Sequence, residues 1–239
     1  MQADPVPSVL DQALWFPDPR QAPRSGPDNG LVALGGDLSV ARLLLAYRHG
    51  IFPWTDEPIT WWSPDPRGIL ELDGLHVPRS LAKAMKKGGF VVSVDRAFRP
   101  VIEACAEPTP GRLTTWITPA FIEAYTRLHR AGHAHSLECW QEGRLVGGIY
   151  GVAIGGFFAG ESMFHRYSNA SKVALCHLAR HLRARGFTLF DLQTTTPVTA
   201  QMGAISIDRD RFLSRLARAV DLPVRFQGVA PEGGGLRGG

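Results

Sequence analysis

FFAGESMFHRYSNASKVALCHLARHLRARGFTLFDLQ, residues 157–193, reads as a strand, a helix and a second strand. The first strand, Phe157 to Glu161, is apolar until it ends in one acid, and Met163 and Phe164 follow. A polar loop then opens an amphipathic helix, which Asn169 is expected to cap and which runs to Arg185. Val173, Cys176, Leu178, Ala179 and Leu182 form its inward stripe. The second strand, Phe187 to Leu192, carries Asp191 and is followed by Gln193. Two strands joined by a helical crossover can lie side by side in one sheet. Polar groups embedded in apolar strands cost free energy unless they are paired or used. Glu161, Asp191 and Gln193 are therefore expected to share one face or one strand end, as the candidate reacting centre. The structural alternatives are a salt bridge from Glu161 to Arg166 or a helix end, and a turn cap for Asp191.

Upstream, Ser39 caps a helix from Val40 to His49 that Gly50 stops; Val40, Leu43, Leu44 and Tyr47 make its apolar stripe. GIFPWTDEPITWWSPDPRG, residues 50–68, sets Phe52, Trp54, Trp61 and Trp62 among four prolines. The prolines predict a stiff surface loop or domain junction without regular structure. Trp61 and Trp62 either glue a small N-terminal domain to a larger one or face a cleft, while Trp54 is expected to line the cleft. Arg67 to Leu72 reads as a strand and Pro78 to Lys87 as a short helix closed by Gly88. Arg79, Lys83, Lys86 and Lys87 cluster on that helix, either as a solvated basic face or as a phosphate-contacting patch. A strand, Phe90 to Val94, precedes a helix that Asp95 should cap; residues 111–116 read as a loop. Thr118 caps a helix with Pro119 at its first position and a stripe of Phe121, Ala124, Tyr125 and Leu128. A hairpin spans Ala134 to Gln141 and Arg144 to Ile154, turning at Glu142-Gly143. The glycines at 147, 148, 151, 155 and 156 mark places where a ligand or another backbone approaches. Gly203-Ala204 is read as a turn before Ile205. Asp208 caps a last helix to Val220, and residues 229–239 are expected to be an unstructured tail. Hairpins mixed with helical crossovers from Arg67 on predict an α/β or α+β fold with a sheet of mixed direction. The expected division is 1–65, a small domain, and 66–228, a larger one.

With 239 residues, 44% hydrophobic and 20% charged, the chain can bury a sizeable core and is not of disordered composition. A net charge of +4 permits a polyanionic partner without requiring one. Cys105, Cys139 and Cys176 are widely spaced, and no CxxC or HExxH pattern occurs, so free thiols in a reducing compartment and no metal are expected. No apolar run approaches the ~20 residues of a membrane span, and the start MQADPVPS lacks the features of a signal peptide. A soluble cytoplasmic protein is the expectation.

The runs GLVALGGDLS, LLAYRHGIFPW, WWSPDPRG, TWIT, GHAHSLE, LVGGIYGVAIG, FFAGESMF, NASKVAL and DLQ occur in this order between Gly30 and Leu216. In them the chain resembles the leucyl/phenylalanyl-tRNA–protein transferase family. The resemblance implies a small N-terminal domain followed by a GNAT-like acyltransferase domain, without a cofactor. It implies transfer of Leu or Phe, and sometimes Met, from aminoacyl-tRNA onto proteins with N-terminal Arg or Lys, which marks them for the N-degron pathway. By resemblance Tyr47, Trp54 and Trp116 lie near the tRNA 3′ adenosine, and Glu161, Asp191 and Gln193 at the reacting centre. One departure stands out. Val198 occupies a place where members commonly carry a His, and Met202 replaces a Leu, so no positioning imidazole is carried over.

The chemistry fits these residues. Attack on an activated ester needs a neutral α-amine, whose pKa is ~7.7–8.0, so a modest base or relay suffices. Asp191 acting through Gln193 or a water is the expected base, and Glu161 is a partner for an incoming cation. Met163, Phe164 and Ile149 either line an apolar donor pocket or pack in the core. Trp54 and Trp116 offer stacking surfaces for adenine, and Arg79, Lys83, Lys86 and Lys87 a place for acceptor-stem phosphates. Two alternatives are an acetyl-CoA-dependent GNAT N-acetyltransferase and a non-catalytic RNA-binding module. Against the first, the loop HRYSNASK has no glycine with which to cradle a pyrophosphate. A monomer is the default expectation.

Overall fold

The computed structural model describes residues 7–109 and 114–227. The expected tail at 229–239 and the start of the expected loop at 111–116 lie outside them. Among the described residues the strands form two sheets. The first takes β1 (Ser8–Leu10), β2 (Leu31–Gly35), then after α1 (Val40–Arg48) the pair β3 (Phe52–Asp56) and β4 (Ile59–Trp62), in the order β1-β2-β4-β3. The remainder runs β5 (Arg67–Leu70), α2 (Arg79–Lys87), β6 (Val91–Val94), α3 (Phe98–Ala106), α4 (Pro119–Arg130), β7 (Ala134–Gln141), β8 (Arg144–Ile154), β9 (Phe157–His165), α5 (Ala170–Ala184), β10 (Leu189–Gln193), α6 (Pro197–Gln201), β11 (Ala204–Ile207) and α7 (Arg209–Ala219). Its strands form a seven-stranded sheet, β11-β5-β10-β9-β8-β7-β6. Only β9 and β10 pair parallel there, across the α5 crossover; the other pairs are antiparallel. The expected mixed α/β architecture is the one found.

Strand alternation builds two cores. Phe157, Ala159, Tyr150 and Val152 face α1, α3, α4 and α7, whereas Phe158, Phe190 and Ile149 face α2 and α5. The N-terminal sheet adds Phe52 and Trp61 to the first of these clusters, so it shares a core with the larger sheet. At Gly147 a Cβ would stand 2.5 Å from that of Ala170. This glycine admits the first turn of α5 against β8, an approach of helix rather than of ligand.

Four local expectations are corrected. The proline-rich segment 50–68 is not irregular: β3 and β4 form a hairpin with Phe52 opposite Trp62 and Pro53 opposite Trp61. Pro53 is tolerated because β3 is the edge of its sheet, where a missing N–H is harmless. Trp61 is fully buried, with Nε1 donating to the Gly35 carbonyl, while Trp62 is half-buried. Asn169 makes no side-chain cap; it enters α5 in the left-handed region at φ 70°. Asp95 does not cap α3 either, because its carboxylate accepts from the Ser136 N–H and pairs with His135, while Glu138 receives the Arg96 and Ala97 N–H groups. Gly203 lies in the expected turn, but Ala204 already opens β11, and α6, which the sequence did not announce, precedes that turn. Thr196 and Thr199 form a reciprocal cap at the start of α6.

Candidate active site

Two register slips create the site. In the β8–β9 ladder Tyr150 is opposite Ser162 and Gly151 opposite Gly160, which leaves Glu161 as an extra residue. In the β5–β10 ladder Ile69 is opposite Asp191 and Gly68 opposite Gln193, which leaves out Leu192. Bulges of this kind re-aim side chains at strand ends. Pairing between β9 and β10 stops at Ala159 and Asp191. Just past that point the side chains reach across: Gln193 Nε2 donates to Glu161 Oε1 at 2.9 Å. Gln193 holds φ 62°, uncommon for a residue with a side chain, and its N–H donates to Asp191 Oδ1 at 2.8 Å. Glu161 thus lies within β9, which continues four residues beyond it to His165, rather than at a strand end.

Beneath Glu161 lie two tyrosines. The Tyr125 hydroxyl donates to Glu161 Oε2 at 3.3 Å, and the Tyr47 and Tyr125 hydroxyls share a bond of 2.5 Å. Burial pushes the Glu161 carboxyl up to about 7; the nearby Asp191 charge adds to this, and hydrogen bonds from Tyr47, Gln193 and Tyr125 oppose it. Burial, with the charge of Glu161, likewise holds both tyrosine hydroxyls well above their ordinary value, as neutral donors.

A cavity of about 230 Å³ opens above the acid, lined by Phe52, Pro53, Trp54, Trp116, Leu192, Gln193, Thr194 and Thr196. Trp54 is 43% exposed and is held edge-on by Trp62 at 5.6 Å. Trp116 is half-buried and meets Phe121 edge-on at 5.3 Å. A second, smaller cavity of about 110 Å³ shares Glu161, Leu192 and Thr196 and adds Ile149, Met163, Leu175 and Thr199. An aromatic slot and an apolar recess therefore meet at one carboxyl.

Of the residues singled out in the sequence, Glu161, Gln193, Trp54 and Trp116 come together in the first cavity, and Met163 and Ile149 in the second. Asp191 does not join them. It is fully buried, and its two oxygens take Arg67 Nε at 2.8 Å and Nη2 at 2.6 Å. With the Gln193 N–H on the same carboxylate, it has no access to a reacting amine, so it does not suit the part of a base. Phe164 also lies elsewhere: it packs in the first core cluster under the Arg166 guanidinium. Arg166 itself pairs with Glu107, not Glu161. Tyr47 is buried and does not line the slot. Arg79, Lys83, Lys86 and Lys87 are all exposed on α2 and make no ion pair among the described residues. The sequence reading missed Phe52, Thr194 and Thr196 as lining residues and Tyr125 as a partner of the acid. Tyr125 fell on the apolar stripe of α4, which gave it a core role, and nothing in its spacing marked the hydroxyl.

Comparison with known proteins bears on this geometry. The family model for leucyl/phenylalanyl-tRNA protein transferase matches residues 69–217, and the model for the N-terminal domain of the same family matches residues 36–65. A leucyl/phenylalanyl-tRNA–protein transferase of Thiobacillus denitrificans is 57% identical over 197 residues, covering 82% of this chain and 86% of that protein. One from Chromohalobacter salexigens is 53% identical over 227 residues, covering 93% and 88%. Among solved structures, a GCN5-related N-acetyltransferase from Kribbella flavida is similar over 68% of this chain and 58% of its own, with 13% identity and a TM-score of 0.39. That likeness is too slight to carry an argument. The two family models and the extent of identity place the chain in the leucyl/phenylalanyl-tRNA–protein transferase family.

Proposed function

We propose that Glu161 is the proton acceptor of an aminoacyl transfer carried out in the slot between Trp54 and Trp116. The protein is an aminoacyltransferase that moves Leu or Phe from charged tRNA to proteins. The terminal adenosine stacks in the aromatic slot, and the donor side chain enters the recess of Ile149, Met163 and Leu175. The acceptor α-amine attacks the ester carbonyl carbon; a C–N bond forms and the bond to the ribose oxygen breaks. The amine proton passes to Glu161 and from there to the departing ribose oxygen. The observation that carries this reading is a buried acid at the floor of the slot, poised at about 7, against an amine of pKa ~7.7–8.0. Matching of that kind is what general base catalysis needs. Tyr125, backed by Tyr47, and Gln193 hold the acid, and Asp191 holds Gln193.

Glu161 is also the one acid among the residues lining the slot, which favours cationic acceptors. We take these to be proteins with N-terminal Arg or Lys, which transfer then marks for N-degron degradation; Met is a third donor. The enzyme acts as a cytoplasmic monomer. No helix among the described residues is long and apolar enough to cross a membrane. We divide the chain near Pro64–Pro66, so that residues 1–65 bring Trp54 and residues 66–228 bring the acid. Turnover with Leu- or Phe-charged tRNA and an Arg-initiated peptide tests the whole reading; transfer that survives loss of Glu161 would remove the acid from the mechanism.

Two further outcomes are expected. Trp116→Ala weakens binding of an aminoacyl-adenosine analogue by ~1–3 kcal/mol, the worth of one stacked base. Calorimetry showing wild-type affinity would assign that ring to the wall alone. Lys83→Gln, Lys86→Gln and Lys87→Gln together flatten the plot of log affinity for tRNA against log salt, by about two units or more if each lysine meets one phosphate. An unchanged slope would put the acceptor stem on another face.

A further inference from the structure

Arg67 is a charged side chain only 1% exposed, and nothing in the transfer step as described makes use of it. Its guanidinium engages three elements at once. Nε and Nη2 grip both oxygens of Asp191 on β10. Nη1 donates to the Gly50 carbonyl at 3.1 Å, at the entry to β3. The group is stacked between Phe52 at 4.9 Å and Phe212 on α7 at 4.4 Å. Phe52 is itself a wall of the aromatic slot. The Asp191 oxygen held by Nε, Oδ1, is the one that accepts the Gln193 N–H. Next along β5, Gly68 lies where a Cβ would stand 2.6 Å from the Thr194 carbonyl carbon, so the chain can turn tightly just after Gln193.

A planar fork is required for this arrangement. Arg presents donors in fixed geometry to both carboxylate oxygens, whereas Lys offers a single rotatable point charge. Gln193 stays at φ 62°, a strained conformation for a residue with a side chain that persists only where its surroundings impose it. The bond to Asp191 Oδ1 is what imposes it, and Arg67 fixes that oxygen.

We propose that Arg67 is a positioning residue for the transfer step. Through Asp191 it sets the bulge that aims Gln193 at Glu161, and through Gly50 and Phe52 it locks that bulge in register with the aromatic slot. The inference rests on the placement of Glu161 and Gln193 at the reacting centre. It explains why a costly buried ion pair stands where an apolar pair of similar volume is often as stable.

The test is a single-turnover assay on full-length enzyme with Phe-charged tRNA and a saturating Arg-initiated peptide, together with tRNA affinity and thermal melting. Arg67→Lys lowers the rate constant about tenfold to a hundredfold, as sub-ångström to ångström misplacement does, while tRNA affinity stays within about twofold of wild type. In a Gln193→Ala background the same change adds no further loss, because the two residues act in one chain. Should Arg67→Lys melt below the assay temperature, Arg67→Met combined with Asp191→Leu takes its place, since an apolar pair can restore the fold. In that variant melting recovers and the rate does not. A rate that recovers with the fold, or losses from Arg67→Lys and Gln193→Ala that multiply, would reduce Arg67 to scaffold. If Gln193→Ala alone leaves the rate untouched, the placement of the reacting centre fails and the inference is withdrawn with it.

Discussion

Glu161→Gln is expected to slow transfer about 10²–10⁴-fold, the range for loss of a positioned proton acceptor, and at the same time to make the folded protein more stable above pH 7. Both effects follow from one property. Burial holds the Glu161 proton until about pH 7, against an ordinary value of 4.5. Below 4.5 the acid is protonated folded or unfolded, and its contribution to stability is complete. Between 4.5 and 7 the folded protein keeps a proton that the unfolded chain releases, so that contribution falls as pH rises and is lost through 7. At ~1.36 kcal/mol per pH unit, the full loss is roughly 3 kcal/mol. Glutamine keeps one acceptor oxygen for the Gln193 amide, and its N–H₂ can donate to the Tyr125 hydroxyl, which also accepts, so it fills the site without a charge that must be buried. Melting curves from pH 5 to 8 should therefore slope for the wild type and flatten for the variant, with several degrees between them at pH 8. The rate profile should lose its limb near 7 and keep the one set by the acceptor amine. A variant that is slow but keeps that limb would mean that Glu161 binds the acceptor and does not take its proton.

Much of the frame was legible because periodicity reports which side chains face inward. The stripes of α1, α4 and α5, the hairpin of β7 and β8, and the β9–α5–β10 crossover all follow from spacing that packing then honours. The segment around Trp54 and Trp61 misled for a specific reason. Proline forbids a ladder bond only where the N–H faces a neighbour, and whether a strand is an edge is a property of the sheet, not of the segment. The cap error at Asp95 has a visible cause. Asp95 and Asn169 have the chemistry of caps, but Asp95 is drawn to His135 and the Ser136 N–H, 40 and 41 positions along the chain. Local propensity cannot register such partners.

The site was legible by residue type but not by role. Glu161, Asp191 and Gln193 each stood out as polar groups in apolar strands, and all three do lie where β9 and β10 part. Which acid is reachable depends on two register slips and on one arginine, and neither leaves a signature in spacing. Arg67 looked like the first residue of a strand. The structure makes it the ion-pair partner of Asp191 and leaves Glu161, not Asp191, lining the slot.

That division of labour predicts a contrast between two substitutions of Asp191. Asp191→Ala strips the Arg67 guanidinium of its counter-ion in a fully buried site, a change that costs about 3–5 kcal/mol. It also removes the acceptor for the Gln193 N–H. The expected protein melts far below wild type and transfers almost nothing even where it remains folded. Asp191→Asn keeps the shape and one carbonyl oxygen, which can serve the Gln193 N–H and one guanidinium N–H. Its fold is weakened, because an amide N–H₂ now faces the second guanidinium donor. Yet the rate per folded molecule should stay within about tenfold of wild type, a loss smaller than removal of a general base brings. Single-turnover rates normalised to the folded fraction separate the two accounts. If Asp191→Asn folds, binds charged tRNA normally and is still as slow as Glu161→Gln, then the carboxylate at 191 takes a proton after all, and the chain from Arg67 to Glu161 would have to be read in the opposite direction.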